Sequence, residues 1–383
     1  MPRTTLKWRA AAVTAAAGLV LAACGGTTSD EDSEEASGGG GDCTASLGFF
    51  GALTGDYAAL GQNIRNGVQL AIDQYEGDCK VTLEEYDSQG SETAAPDLAK
   101  SAIDDDEVIG IVGPAFSGES AAAGPIFADA GLPTITPSAT APTLSENGWE
   151  TFFRMLGNDN TQGPAAAAYI SDTIGSTSVF VIDDASEYGA GLAKIVEDTL
   201  GDDVEGTDTV QLKQDDFSST VTKANDSGAD TIFYGGYYPE AARLIKQLRS
   251  GGFEGTFVTA DGVKDDAYIE GGGSATEGTV ITCPCVPAEE AAPDFFDAFK
   301  SEYKEAPGTY TAEGYDSTNV FLAGLDDGAT DREAMLEFVA GYEGSGVTKE
   351  IAFDDKGEPT NVVVWAYKVQ DGEIVADQEI PTD

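Results

Sequence analysis

The apolar residues of this chain switch between two periods, and they do so twice over in the same order. That alternation constrains the fold more than any other feature. Short apolar runs of strand length are each followed by stretches with apolar residues three and four apart. The run at 45–50 (ASLGFF) leads into Ile64, Val68, Ala71, Ile72 and Tyr75. The run at 80–86 (KVTLEEY) leads into Leu98, Ala99, Ala102 and Ile103, and the run at 108–112 (VIGIV) into an alanine-rich helical stretch at 118–130. Another strand is predicted at 132–136. The series restarts after Gly157, with helices predicted at 161–174, 190–200, 217–227 and 239–250 and strands at 179–182, 205–212, 231–234, 256–260 and 278–282. Strand and helix in turn make a parallel sheet covered by helices on both faces. The expected fold class is therefore α/β, with two doubly wound parallel-sheet lobes.

After Cys285 the order changes. Helices are predicted at 291–305, 311–325 and 331–341, then strands at 350–353 and 362–369 (VVVWAYKV). A chain that completes two lobes and then adds further elements is expected to return to the first. Several crossovers make a multi-strand hinge, and a hinge between lobes implies a cleft. Ligands of doubly wound sheets sit at the carboxyl ends of the strands.

The N-terminus is a targeting signal. Arg3, Lys7 and Arg9 precede or flank a mild apolar run at 10–20, which ends in Leu21-Ala22-Ala23-Cys24. That run is too short to span a bilayer. Residues 1–23 are expected to be a lipoprotein signal peptide and Cys24 the lipidated residue, which puts the domain on the extracytoplasmic face of the cell membrane. An ordinary secretory peptide, leaving Cys24 a free thiol, is the other reading. Residues 25–42 (GGTTSDEDSEEASGGGGD) hold nothing that builds a core. With Cys24 they are expected to form a lipid anchor and flexible acidic tether, of typical reach about 25 Å. The acidic run lacks the glycine-spaced ligand loop of a calcium site.

Apart from Cys24, the cysteines are Cys43, Cys79, Cys283 and Cys285, an even number in an exported chain. Four cysteines allow three pairings. Cys43 and Cys79 each just precede a predicted strand, and neighbouring parallel strands would bring their starts within bridging reach. Cys283 and Cys285 then close a local ring or stay reduced. As a metal site, CxC without a second cluster or a histidine is weak. No metal and no cofactor is expected.

Composition narrows the chemistry. The 383 residues include no histidine, which removes Ser-His-Asp and Cys-His catalysis and histidine-ligated zinc. The net charge of −48 argues against nucleic acid as a partner. No GxGxxG follows a strand, no GxSxG elbow exists, and 341–348 (GYEGSGVT) lacks the P-loop lysine. No enzyme is expected.

The loops at the strand ends divide into two kinds. After Val112 comes Gly113-Pro114-Ala115-Phe116-Ser117-Gly118, where Ser117 can cap a helix whose free N–H groups favour an anion. After Thr136 comes Pro137-Ser138-Ala139-Thr140-Ala141-Pro142, small residues with hydroxyls and accessible backbone. In the second series the loops are Asp183-Asp184-Ala185-Ser186-Glu187-Tyr188-Gly189, Gly235-Gly236-Tyr237-Tyr238-Pro239-Glu240 and Ala260-Asp261-Gly262. Acid with aromatics suits an ammonium group and an apolar side chain. Each loop alone reads as a cap or a surface turn. Together they suit a zwitterion, carboxylate toward the first lobe and ammonium toward the second.

Four stretches carry a family resemblance: 133–144 (PTITPSATAPTL), 160–164 (NTQGP), 188–192 (YGAGL) and 234–240 (YGGYYPE). With them the chain, from about Ser46 to Val369, resembles the branched-chain amino-acid-binding proteins of bacterial ABC transporters, of the type I periplasmic-binding fold. The resemblance implies lobe I at 44–158 plus 286–360 and lobe II at 159–285 plus 361–383. It implies a monomer that hands a small ligand to a membrane permease. Ser117 and Thr140 should hold the ligand α-carboxylate through hydroxyl and backbone N–H groups. The carbonyl of Ser138, beside Ala139, should accept from the ammonium. Asp261 stands where the family usually has glutamate as ammonium counter-ion. Tyr188 and Tyr237 should line the cleft, and Phe116, Tyr310 and Leu60 should shape the side-chain pocket. Leu60 falls where such proteins often have an aromatic residue. The family often bridges a cysteine near the Ser117 loop; this chain has Phe116 there. Two rival readings remain at this stage. One is the same transport role for another amino acid, an amide, urea or an aromatic acid. The other is a ligand sensor module.

Overall fold

Strand β1, Thr44–Gly51, is buried at seven of its eight positions, as a strand must be when helices cover both faces of its sheet. It appears in a computed structural model that describes residues 43–382. The expected signal peptide, Cys24 and the acidic tether lie outside the described residues. The chain continues through α1 (Ala58–Asp73), β2 (Lys80–Asp87), α2 (Ala95–Ile103), β3 (Val108–Val112), α3 (Ser117–Asp129), β4 (Thr134–Thr136) and β5 (Phe152–Arg154). These strands form one parallel sheet in the order β2-β1-β3-β4-β5.

The chain then crosses to a second sheet. Its elements are α4 (Asp159–Ala168), β6 (Val179–Asp183), α5 (Glu187–Leu200), β7 (Val204–Thr209), α6 (Ser218–Ser227), β8 (Thr231–Gly235), α7 (Tyr238–Ser250), β9 (Thr256–Thr259), α8 (Asp266–Gly272) and β10 (Val280–Cys283). Next come α9 (Ala288–Ala291), α10 (Pro293–Tyr303), α11 (Thr311–Asp326), α12 (Arg332–Ala340), β11 (Glu343–Ser345) and β12 (Glu350–Ala352). The helices α11 and α12 pack back on the first sheet, and β11 and β12 pair with each other as a separate two-stranded sheet. The Arg332 guanidinium, for example, donates to the carbonyls of Val108 (2.9 Å) and Asp105 (2.7 Å). The last two strands, β13 (Val364–Gln370) and β14 (Glu373–Ile380), cross again and add antiparallel to the second sheet, giving the order β14-β13-β10-β9-β8-β6-β7.

Several sequence expectations need correction. The strand β5 was not anticipated, because three residues are too few to show a period. Nor was β14: its sequence EIVADQEI mixes acids with apolar residues, as suits an edge that is mostly exposed or half-buried. The helix expected at 161–174 is α4 followed by a wider π-helical turn at Tyr169–Ile174. The helix expected at 291–305 is α10, Pro293–Tyr303; the single turn α9 before it is separate, because the residue preceding Pro293 is pushed out of helical conformation.

The structure bridges Cys43 to Cys79 with the Cα atoms 4.5 Å apart, at the paired starts of β1 and β2. It also bridges Cys283 to Cys285, where β10 gives way to the second crossover.

Candidate functional site

The carboxyl ends of the two sheets face each other, and the loops there touch across the gap. Tyr238 of the second lobe donates its phenol to the Asp56 carbonyl of the first at 2.7 Å. Asn63 Nδ2 donates to Asp265 Oδ2 at 3.0 Å, and Tyr310 Oη to Asp261 Oδ2 at 2.7 Å. The residues between are buried, so what they lack in partners becomes informative.

In the first lobe α3 starts at the cleft. Phe116 is its N-cap in extended conformation, and Ser117 is the first helical residue. The cap expected at Ser117 is thus one residue earlier. The Ser117 hydroxyl accepts from the Ala141 N–H at 3.3 Å, which ties the two hydroxyl loops together and leaves its own proton to give. Ser138 Oγ donates to the Ala115 carbonyl at 2.6 Å. Behind the loop lies Arg154, fully buried at the end of β5. Its guanidinium donates to the carbonyls of Ala139 (2.7 Å) and Ala141 (3.1 Å) and to Glu358 (2.8 Å). The Thr140 hydroxyl is buried with no hydrogen-bond partner among the described residues.

In the second lobe Asp261 follows β9 and is 3% exposed. Three neutral donors meet its carboxylate: Gln162 Nε2 (2.7 Å), Tyr188 Oη (2.8 Å) and Tyr310 Oη. Burial raises its pKa; these donors oppose the rise without cancelling it. Tyr310 was expected to shape the apolar pocket. Its ring is buried, but its hydroxyl is committed to Asp261. Tyr237 is held by its N–H on Asp184 Oδ2 at 3.2 Å. The preceding Gly236 has φ +157°, and a Cβ there would meet Tyr234 Oη at 2.5 Å, so only glycine permits this turn.

Asp159 escaped the sequence reading. It is the first residue of α4, fully buried, and neither carboxylate oxygen has a hydrogen-bond partner among the described residues. It lies beside the Thr140 hydroxyl and faces Asp261. Burial first, and then the charge of Asp261, pushes its pKa up to about 8. An acid opening a helix ordinarily reads as a cap. Here Asn158 does that job, accepting from the Asn160 N–H at 3.0 Å. The Asp159 side chain is thereby left for something else. The Thr140 hydroxyl and the Arg154 charge offset part of the rise in its pKa, and the two buried carboxylates together suit a cation between the lobes.

Two aromatic rings of the second lobe meet two of the first. Tyr188 and Tyr237 have centroids 5.1 Å apart, and Tyr237 lies 5.3 Å from both Phe116 and Tyr57. Tyr57 was not anticipated. Leu60, the residue expected here, is buried one turn further along α1.

The arrangement is that of a bilobal receptor for a small solute, with anion-directed donors on one side and bare carboxylate on the other. Comparison with known proteins agrees: residues 44–373 match the periplasmic binding protein family, and the chain belongs to it. Such proteins serve ABC transporters outside the cytoplasm. The leucine-, isoleucine-, valine-, threonine- and alanine-binding protein of Pseudomonas aeruginosa is 29% identical over 338 residues, covering 85% of this chain and 90% of that one. A leucine-binding protein from Thermotoga maritima superposes with TM-score 0.82 at 28% identity, covering 88% of this chain and 98% of that one. A branched-chain amino-acid transporter substrate-binding protein from Streptococcus pneumoniae, solved with isoleucine, gives TM-score 0.83 at 26% identity over 88% of this chain and 99% of that one.

Proposed function

We propose that this protein captures an aliphatic α-amino acid, branched-chain or closely related, in the interlobe cleft and delivers it to an ABC transporter permease. The observation that carries the reading is the pair of buried carboxylates, Asp159 and Asp261, with the Ser117 hydroxyl presented by the first lobe. That pairing of poles matches a zwitterion. Lobe I comprises 44–158 and 286–360, and lobe II 159–285 and 361–383. Cys24 anchors the monomer to the membrane through lipid. The ligand α-carboxylate takes the Ser117 and Thr140 hydroxyls and nearby N–H groups; the ammonium takes Asp261, Asp159 and the Ser138 carbonyl. A ligand held by both lobes shifts the protein toward its closed form by its differential affinity for that form. The names borne by the relatives support the ligand class.

Calorimetric titration of the refolded protein with leucine, isoleucine, valine, alanine, γ-aminobutyrate and urea tests this. Micromolar or tighter binding is expected for the aliphatic α-amino acids. Heat only from another solute would remove the ligand assignment and keep the receptor.

The pH dependence follows from Asp159. Its pKa in the folded, ligand-free protein, about 8, stands above the ordinary carboxylate value of 3.8. Its contribution to ligand-free stability is therefore present at acid pH and lost as pH rises through about 8. An ammonium favours the charged form. Affinity should rise between pH 6.5 and 8.5, on the order of tenfold, and Asp159→Asn should flatten the profile. An unchanged profile in that variant would exclude Asp159 from the ammonium site.

A further inference from the structure

We propose that Tyr57 is the end wall of the side-chain pocket and sets the longest ligand side chain the cleft accepts. This rests on the amino-acid reading above. The aromatic residues form a row that starts at the ammonium pole. Tyr188 donates to Asp261, packs on Tyr237, and Tyr237 in turn packs on Tyr57. Phe116, which immediately precedes Ser117 at the carboxylate pole, closes a triangle with the last two, its centroid 5.9 Å from Tyr57. An α-carbon held between Ser117 and Asp261 therefore sends its side chain along Tyr237 and toward Tyr57.

The wall is rigid. A Cβ on Gly90 would stand 2.6 Å from Tyr57 Cδ2, so the ring lies against the bare backbone of the 88–91 turn. Gly90 has φ +72°, a conformation that favours glycine and so keeps that backbone bare. With Phe116 and Tyr237 on its other sides, the ring cannot retreat from a longer ligand. Rings at these separations are in contact, so nothing passes between them.

The phenol separates this position from ordinary core. Tyr57 is 4% exposed, yet its hydroxyl has no hydrogen-bond partner among the described residues. Phenylalanine would fill the same volume without stranding a hydroxyl. Burial, Glu240, Asp184 and Asp56 all oppose ionisation, so the group stays neutral and the wall uncharged. Leu60 does not need to supply the wall, because a ring three residues earlier does.

Titration of alanine, valine, leucine and phenylalanine into the refolded protein and its Tyr57 variants tests the proposal. The unmodified protein should bind valine more tightly than phenylalanine. Tyr57→Ala should shift the phenylalanine-to-valine affinity ratio by tenfold or more toward phenylalanine. Tyr57→Leu, which keeps the position apolar should the alanine variant not fold, should shift it the same way. Tyr57→Phe, which keeps the ring, should leave it within about twofold. An unchanged ratio in both truncated variants, with binding intact, overturns the wall while leaving the amino-acid reading standing. Failure of all four ligands to bind the unmodified protein overturns both.

Discussion

Replacing Asp261 with alanine should weaken binding of an aliphatic α-amino acid by about 3–5 kcal/mol, a few hundred-fold or more. Two losses combine. The ligand ammonium loses the carboxylate that the second lobe provides, in a site sealed from water. The protein also loses an acceptor on which Gln162, Tyr188 and Tyr310 converge. Tyr310 belongs to the first lobe, so its bond to Asp261 also ties the lobes together; alanine removes a contact of the closed form even without ligand. Asp261→Asn separates the two effects. It keeps one acceptor oxygen, enough for Tyr188 or for Tyr310 but not both, and carries no charge, so it should recover part of the closed geometry and little of the affinity. Asp159 stands next to Asp261, and the alternative outcome is that Asp159 alone holds the ammonium. A dissociation constant for Asp261→Ala within a few-fold of the unmodified protein would establish that and end the counter-ion role of Asp261.

Elements with a clear period were legible in the sequence. β1, β3, β6 and β8 are apolar runs buried on both faces, and α1 and α7 show one buried stripe each. The residues of the proposed poles were partly legible too, because strand-end loops carry function and their residue types differ between the lobes. What stayed hidden depends on partners far away in sequence. Asp159 is bare only because Asn158 takes over the cap and because Thr140 and Asp261 close around it. Tyr57 becomes a wall only because Gly90, Phe116 and Tyr237 pin its ring. Expectation fell instead on Leu60, whose place on α1 was known from the resemblance. Arg154 left one trace, a charge inside the apolar run 152–156 (FFRML). Such a charge is buried only when paired, and the pairing is with loops that local pattern does not reveal.

That arginine carries the second large effect. Arg154→Met should destabilise the protein by about 3–5 kcal/mol. The guanidinium is fully buried; its loss strands the Ala139 carbonyl, worth about 1–3 kcal/mol when left unpaired, and leaves Ala141 only the Leu144 N–H at 3.3 Å. Glu358 contributes less, because its side chain is 15% exposed and can turn to water. Most of the cost therefore lies in the 138–141 loop, which carries the proposed ligand contacts Ser138 and Thr140. Arg154→Lys should recover only part of it, since an ammonium has the charge but not the fork that reaches both carbonyls. Glu358→Gln should cost the least of the three. Denaturant unfolding of the ligand-free proteins ranks them, and titration of valine into the folded variants shows the consequence. If the 138–141 loop is held from behind by Arg154, affinity falls along with stability in the Met variant. Stability lost with affinity intact would make the arginine a core brace with no part in positioning the loop. A loss of stability below about 1 kcal/mol would mean the Ala139 carbonyl finds another donor.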